Sequence, residues 1–265
     1  MSGKVTREDR KSVTSEEDPR RRLSAAMRSI ASMTVAAELD DDVLDEAVDT
    51  VESLEAKMKA ASGPGKRPRA VPDTARPAQE FFPTSPIIGM ENPISPPVRV
   101  EVIRRDDGRF REIRAQANFD FQYEGPPTCV HGGVIAETFD EVLGAATIAA
   151  GHPGMTGTLT IKYRKPTPLH ADLRLEARLT GRSGRKIRAW AGLYDGDTLT
   201  AEAEGIFIEV RAVQFIGIAE RNASSDDPII REAIRVEAAR SGAASDVQGA
   251  IDELTAVDPE ELPPF

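Results

Sequence analysis

The sequence predicts an α+β domain in which an antiparallel sheet packs against one central helix. Between Val98 and Arg211, apolar and polar residues alternate in six short stretches, which is the pattern of half-buried strands. Turn residues separate these stretches, and a glycine-bounded apolar segment interrupts them after the second one. The predicted order is therefore two strands, one helix and four strands. Helical extensions are predicted on both sides of this domain.

The first two strands are predicted to form a hairpin. Alternating valines begin at Val98, and the dipeptide Asp107-Gly108 supplies a tight turn. The chain then returns as a second strand over residues 110–119. The two strands are thus paired early in the domain.

The central helix is predicted from about Gly133 to Ala150. Its second half is apolar nearly all round, so we expect it to lie inside the domain. The small alanine side chains would let a curved sheet close around the helix. The residues alone leave a second arrangement open, in which the helix lies on one face of an open sandwich.

Four further strands are predicted after the helix. A lone sheet would expose a full apolar face, so these strands and the helix are expected to bury one another. Pro-rich, Gly-Arg-Ser-Gly and Asp-Gly-Asp turns separate them. The four strand segments read MTGTLTIKYR, ADLRLEARLT, RKIRAWAGLY and TLTAEAEGIFIEV.

The regions outside the sheet differ from it in composition. Nine of the 19 prolines lie between Ala61 and Pro97, a density that excludes continuous helix or central strand. Before this stretch, Leu44, Val51 and Met58 recur every seven residues on an acidic helix, which is expected to pack on its own protein or on a partner copy. We predict a helical extension over 1–60, a linker over 61–97, the α+β domain over 98–211 and an acidic helical extension over 212–265.

Composition excludes several classes of function. The chain has 34 basic and 44 acidic residues, a net charge of −10, so general nucleic-acid binding is not expected. No apolar run approaches the roughly 20 residues of a membrane span, and the charged first residues do not resemble a signal peptide. The single Cys129 and three histidines leave few ligands for a metal, and none is expected. A reducing, cytoplasmic setting is the resulting expectation.

The most specific motif is His131-Gly132-Gly133, which leads directly into the central helix. Glycines let another group approach the backbone, and the first N–H groups of a helix are unpaired and carry the positive end of its dipole. Such a helix end can bind an anion or a developing oxyanion. The glycines could equally serve only to form a tight loop.

Asp140 follows His131 by nine residues on the same helix. Nine residues turn through half a revolution net and rise ~13 Å. The two side chains therefore cannot meet within one helix. If they share a site, that site forms most simply between two copies of the chain, each supplying one helix end.

These residues carry a family resemblance. HGGVIAETFDEVLG, with a Thr sixteen residues after its Asp and Tyr-Arg-Lys-Pro closing the next strand, resembles the hotdog-fold acyl-CoA thioesterases of the PaaI-like and mitochondrial kind. The resemblance covers about Val98 to Val210. It implies that the sheet wraps the helix, that the chain forms a homodimer or higher homo-oligomer with interface sites, and that it serves lipid metabolism.

The resemblance also implies residue roles. Asp140 would be the catalytic carboxylate, acting as nucleophile on the thioester carbon or as base for a water. Gly133 would donate its N–H to the oxyanion, with Gly132 shaping the turn. His131 would hold the thioester, and Thr156 would orient the water or the carboxylate.

The coenzyme end is expected at a basic turn. Arg182, Arg185 and Lys186 lie beside flexible glycines, an arrangement suited to the phosphates of coenzyme A but also to a solvated hairpin tip. The predicted function is hydrolysis of an acyl-CoA to a carboxylic acid and coenzyme A, with no cofactor beyond the substrate. The alternative is a non-hydrolysing acyl-thioester binder whose helices dock a partner.

Overall fold

The computed structural model describes residues 18–62 and 82–209. The predicted strand and helix order is confirmed, and a 3-10 turn at Phe121–Tyr123 precedes the central helix. In chain order the elements are α1 (Pro19–Ala36), α2 (Asp41–Ala61), β1 (Arg99–Arg104), β2 (Phe110–Ala117), α3 (Gly132–Ala149), β3 (Gly154–Tyr163), β4 (Leu173–Ser183), β5 (Lys186–Asp195) and β6 (Thr198–Glu209).

The six strands form one antiparallel sheet in the order β1-β2-β4-β5-β6-β3. Strands in a sheet are about 4.8 Å apart, so six of them span more than twice the width of one helix. Helix α3 nevertheless contacts every one of the six strands. The sheet is therefore curved around the helix. This arrangement is the hotdog fold that the resemblance implied, and the open sandwich is excluded.

The core lies between α3 and the concave face of the sheet. Phe139, Val142 and Leu143 of α3 are fully buried there. On β6, Gly205 gives the helix room, because a Cβ at that position would lie 2.6 Å from the ring of Phe207 and 3.3 Å from Leu143. Glycine at this position thus lets helix and sheet pack closely.

Residues 82–97, the second half of the predicted linker, pack against the domain. Ile87 and Ile88 belong to the hydrophobic core, and Val98 continues it at the start of the sheet. The Ser95 hydroxyl donates to the Ile87 carbonyl at 2.7 Å. The prolines of this stretch therefore shape a packed, irregular segment. The boundaries of the other predicted regions stay predictions.

The two N-terminal helices differ in their contacts. Helix α1 begins at Pro19, where the Asp18 carboxylate accepts from the Arg20 N–H, and Arg28 donates to the Asn92 carbonyl at 2.8 Å. Every residue of α2 is exposed, its apolar stripe included. No helix in the described ranges is long and apolar enough to cross a membrane. The predicted C-terminal extension lies outside the described residues.

Candidate active site

The start of α3 is capped by the side chain of His131. His131 has extended backbone angles, and its Nδ1 accepts the N–H of Gly133 at 3.0 Å. The loop before it needs a glycine, since a Cβ at Gly125 would lie 2.7 Å from the His131 Cα. The Gly133 N–H, the expected oxyanion donor, is therefore already engaged within the chain.

Gly132 occupies the first position of the helix. Its carbonyl accepts a hydrogen bond from the Tyr163 hydroxyl at 2.8 Å, which ties the end of β3 to the start of α3. Within residues 82–209, its N–H has no hydrogen-bond acceptor. Of the two glycines in the motif, Gly132 is thus the one whose N–H is available to a bound group.

Asp140 and Thr156 form the second part of the candidate site. The Thr156 hydroxyl donates to Asp140 Oδ1 at 2.7 Å, joining the middle of α3 to the start of β3. Both residues are exposed in the single chain. The Asp and the Thr sixteen residues after it, which carried the resemblance, are therefore in direct contact in the structure.

A β-bulge in β3 orients Thr156 toward the helix. Thr156 pairs with Phe207 and Thr158 pairs with Ile206, so Gly157 between them has no partner on β6. Residues opposite each other in adjacent strands share a face, and Phe207 is buried on the helix side. Regular alternation would place Thr156 and Thr158 on one face. The bulge separates them and leaves Thr156 on the inner face.

The predicted catalytic residues thus lie in two groups. His131 and the glycines lie at the start of α3, whereas Asp140 lies nine residues after His131, ~13 Å along the helix, and contacts Thr156 of β3. No hydrogen bond in the described ranges joins the groups. Within one chain, the structure brings Asp140 to Thr156 but not to His131.

Asp140 and Thr156 open onto a cavity of about 680 Å³. Its wall is mainly apolar, and it comes from α3, β1, β3, β6 and the segment before β1. The lining residues are Phe82, Ser85, Pro86, Ile88, Val102, Arg104, Asp140, Glu141, Gly144, Ala145, Ile148, Ala149, Gly154, Met155, Thr156 and Phe207.

Glu141 is a titratable residue of this cavity that the sequence did not single out. Burial raises the pKa of Glu141, and the neighbouring Asp140 carboxylate raises it further, while a hydrogen bond from Ser85 acts in the opposite direction. The net effect is a raised pKa. An acidic pair such as Asp140-Glu141 gives no sequence signal for which carboxylate is buried.

The basic turn connects β4 and β5. Arg182 forms an ion pair with Glu209 at 2.6 Å, and Arg185 Nε donates to the Glu209 carbonyl at 3.3 Å. His152 lies 3.1 Å from the same carboxylate. Burial alone would raise the pKa of Glu209, but the hydrogen bonds from Arg182 and His152 outweigh it and the pKa is lowered. Lys186 begins β5 beside this cluster.

Sheet register relates the basic turn to Asp140. Arg182 pairs with Ile187, Ile187 pairs with Phe207, and Phe207 pairs with Thr156. Arg182 on β4 and Thr156 on β3 are therefore three strand spacings apart, a distance of ~14 Å. The cations and the Asp140–Thr156 pair therefore share one end of the sheet.

Comparison with known proteins gives a consistent result. Residues 128–202 match the Thioesterase superfamily. The crystal structure of a thioesterase superfamily protein is similar to this chain with a TM-score of 0.62 and 28% identity, over 72% of this chain and 95% of that one. That structural likeness extends well beyond the residues that match the family.

Curated relatives match the same region. The acyl-coenzyme A thioesterase THEM4 of Xenopus laevis is 33% identical over 89 residues, or 33% of this chain and 40% of that protein. The mouse protein of the same name is 36% identical over 89 residues, or 38% of its length. The chain therefore spans about two fifths of the length of the curated relatives it matches.

Proposed function

We propose, since residues 128–202 match the Thioesterase superfamily, that this protein hydrolyses acyl-CoA thioesters to a carboxylic acid and coenzyme A. The observation that carries the proposal is the Asp140–Thr156 pair, held at 2.7 Å at the mouth of an apolar cavity. The names of the THEM4 relatives support acyl-CoA as the substrate. The cavity would take the acyl group and bring its carbonyl to Asp140.

The hydrogen bond from Thr156 orients the Asp140 carboxylate for its role. Asp140 either attacks the thioester carbon itself or removes a proton from the water that attacks it. In the overall reaction, a C–O bond forms with the oxygen of water and the C–S bond breaks. The thiolate of coenzyme A takes up a proton, and no other reactant is needed.

The oxyanion needs a donor at the start of α3. A thioester carbonyl becomes negatively charged on attack, and donors already in place stabilise that charge. Because the Gly133 N–H is bonded to His131, we assign this role to the Gly132 N–H, supported by the positive end of the helix dipole. His131 then shapes the helix end and lies beside the bound thioester.

We further propose that the complete site forms between two copies of the chain. Strand β3 is an edge of the sheet and is mostly exposed, and such an edge favours pairing with another strand. Near the start of β3, Thr156 contacts Asp140, and at its end Tyr163 contacts Gly132. Antiparallel pairing of two β3 strands about a two-fold axis near residue 160 would place Thr156 beside the partner's Tyr163. Asp140 of one copy would then face the Gly132 N–H of the other.

Mixing inactive variants tests the shared site. Asp140→Asn and Gly132→Pro each remove one half of it, so a mixed dimer would retain one intact site. Activity that returns on subunit exchange supports the proposal. If folded variants that have exchanged subunits stay inactive, the shared site is contradicted.

The coenzyme end of the substrate is assigned to the basic turn. Arg182 lies ~14 Å from Thr156, three strand spacings away, whereas Lys186 on β5 is two spacings from β3. Arg185 lies in the turn between them, and all three are at the end of the sheet where the nucleotide of coenzyme A would extend from the cavity. Glu209 now holds Arg182, and a bound phosphate would compete for it. A cytoplasmic location is also proposed, on the single cysteine of the chain.

A thiol-release assay over a panel of acyl-CoAs tests the proposed function. The full chain is expected to release free coenzyme A from at least one of them. A protein that binds acyl-CoA in a titration but releases no thiol would instead be the non-hydrolysing binder with partner-docking helices.

A further inference from the structure

One wall of the acyl cavity comes from the segment before β1. The segment Phe82–Ile88 contributes Phe82, Ser85, Pro86 and Ile88 to the lining, although the family match begins at residue 128. This segment runs beside α3 where Asp140 and Glu141 open into the cavity. It therefore forms part of the surface that would contact the acyl group.

The wall is held in place by a network centred on Ser85. Its hydroxyl oxygen accepts the N–H groups of Ile87 and Ile88 at 3.1 and 3.2 Å. The hydroxyl proton also faces the Glu141 carboxylate, whose pKa it lowers. Ser85 and Glu141 both line the cavity, so the segment and the helix that carries Asp140 form adjoining parts of its wall.

A tight turn closes the segment at its C-terminal end. The Gly89 N–H donates to the Ser85 carbonyl at 3.1 Å, and a Cβ at Gly89 would lie 2.4 Å from that oxygen. The Asn92 side chain donates to the Thr84 carbonyl at 3.0 Å. These contacts make the wall a defined surface.

Exposed apolar side chains concentrate around this cavity. Between residues 82 and 209, seven large apolar side chains are exposed, and four of them line it. These four are Phe82, Val102, Ile148 and Met155. Apolar groups gathered at a cavity mouth indicate an apolar ligand. Ile88, which is fully buried, closes the inner side of the wall.

We infer that the segment Phe82–Ile88 is the specificity-determining wall of the site, with Ile88 limiting the length of an apolar acyl chain and Phe82 contacting the chain near the mouth. This inference rests on the proposed function, because it assigns this cavity to the acyl group. Each methylene that gains or loses burial changes apparent affinity by about fourfold. Shortening Ile88 should therefore extend the range of accepted chains.

The test is a series of saturated acyl-CoAs of increasing length, assayed with the full chain and its variants. Ile88→Ala is expected to shift the optimum of kcat/KM to longer chains, with a gain of about tenfold for the longer chains relative to the wild-type optimum. Ile87→Ala is the matched control, since Ile87 is 3% exposed in the same segment but does not line the cavity. It should lower stability similarly and leave the chain-length profile unchanged.

The second pair of variants acts at the mouth. Phe82→Ala is expected to raise KM for long-chain acyl-CoAs more than for short-chain ones. Phe121→Ala is its control. Both phenylalanines are 39% exposed, and only Phe82 lines the cavity. An unchanged profile in folded Ile88→Ala and Phe82→Ala proteins would overturn the inference.

Binding separates failure of the inference from failure of the proposed function. S-alkyl-CoA thioethers of the same chain lengths cannot be hydrolysed, and their affinities can be measured by calorimetry. If the wild-type protein releases no thiol, the proposed function fails, yet a shifted thioether profile in Ile88→Ala still supports the wall. Absence of binding for every thioether, or identical profiles in both proteins, contradicts it.

Discussion

Thr156 Oγ1 lies 2.7 Å from Asp140 Oδ1 and donates its proton to that oxygen. The hydrogen bond crosses from the sheet to the central helix and depends on the bulge at Gly157. The second carboxylate oxygen of Asp140 accepts no hydrogen bond from residues 18–62 or 82–209. It is therefore the oxygen that can act on a water or a thioester.

Removing the Thr156 hydroxyl is expected to reduce turnover. A hydrogen bond to a charged group contributes about 1.5–3 kcal/mol, so Thr156→Val should lower kcat by about 10- to 100-fold. Thr156→Ser should retain most of the activity. Thr158→Val is the control, because Thr158 lies beyond the bulge on the other face. Equal kcat in Thr156→Val and wild type would exclude a role for the hydroxyl.

Gly132→Pro is expected to remove the oxyanion donor without breaking the helix. Proline is tolerated at the first helical position, and His131 has the extended angles that a following proline requires. A Cβ at Gly132 meets nothing closer than 3.4 Å. Loss of one such donor lowers kcat by about 10²- to 10³-fold. Unchanged kcat in a folded variant would transfer the role to another group.

The His131 cap is expected to contribute to stability. His131→Ala leaves the Gly133 N–H without its side-chain acceptor and should lower the free energy of unfolding by about 1 kcal/mol. His131→Asn can still cap the helix and should lose less. Urea denaturation of both variants measures the difference. If alanine and asparagine are equally stable, the hydrogen bond is not a stabilising cap.

Glu141 is expected to make stability depend on pH. Its pKa is raised in the folded protein, chiefly by burial, so its contribution is complete below the ordinary value of 4.5 and is lost as pH rises through the folded value. Glu141→Gln cannot ionise, so it should gain thermal stability over wild type as pH rises from 4 to 7. The exposed Glu137→Gln is the control. A gap that stays constant or narrows with rising pH would contradict the raised pKa.

Local patterns were sufficient to predict the strands and the central helix. Alternation and glycine-bounded apolar content are properties of neighbouring residues, so the element order and the position of α3 followed from them. These local patterns do not predict that the sheet wraps around the helix, because the small residues of α3 fit either a curved or a flat sheet. The contact of Asp140 with Thr156 was predicted through the family resemblance, which supplied a spacing that local rules do not contain.

The features that sequence reasoning missed depend on distant contacts. Proline density predicts a linker over 61–97, yet Ile87 and Ile88 of its described part lie in the hydrophobic core with residues of α3 and the sheet. Histidine is not among the usual capping residues, so the engagement of the Gly133 N–H by His131 had no sequence signal. Gly157 did carry one, because glycine inside a strand often marks a bulge.

The central claim is that the Asp140 carboxylate performs the chemistry of thioester hydrolysis. Its most direct test compares wild type and Asp140→Asn in release of free thiol from a saturating acyl-CoA, with thioether binding measured in parallel. General-base catalysis contributes about 10²- to 10⁴-fold, so the variant should lose that factor in kcat while thioether affinity and folding are unchanged. A folded Asp140→Asn protein that releases thiol at the wild-type rate would contradict the claim.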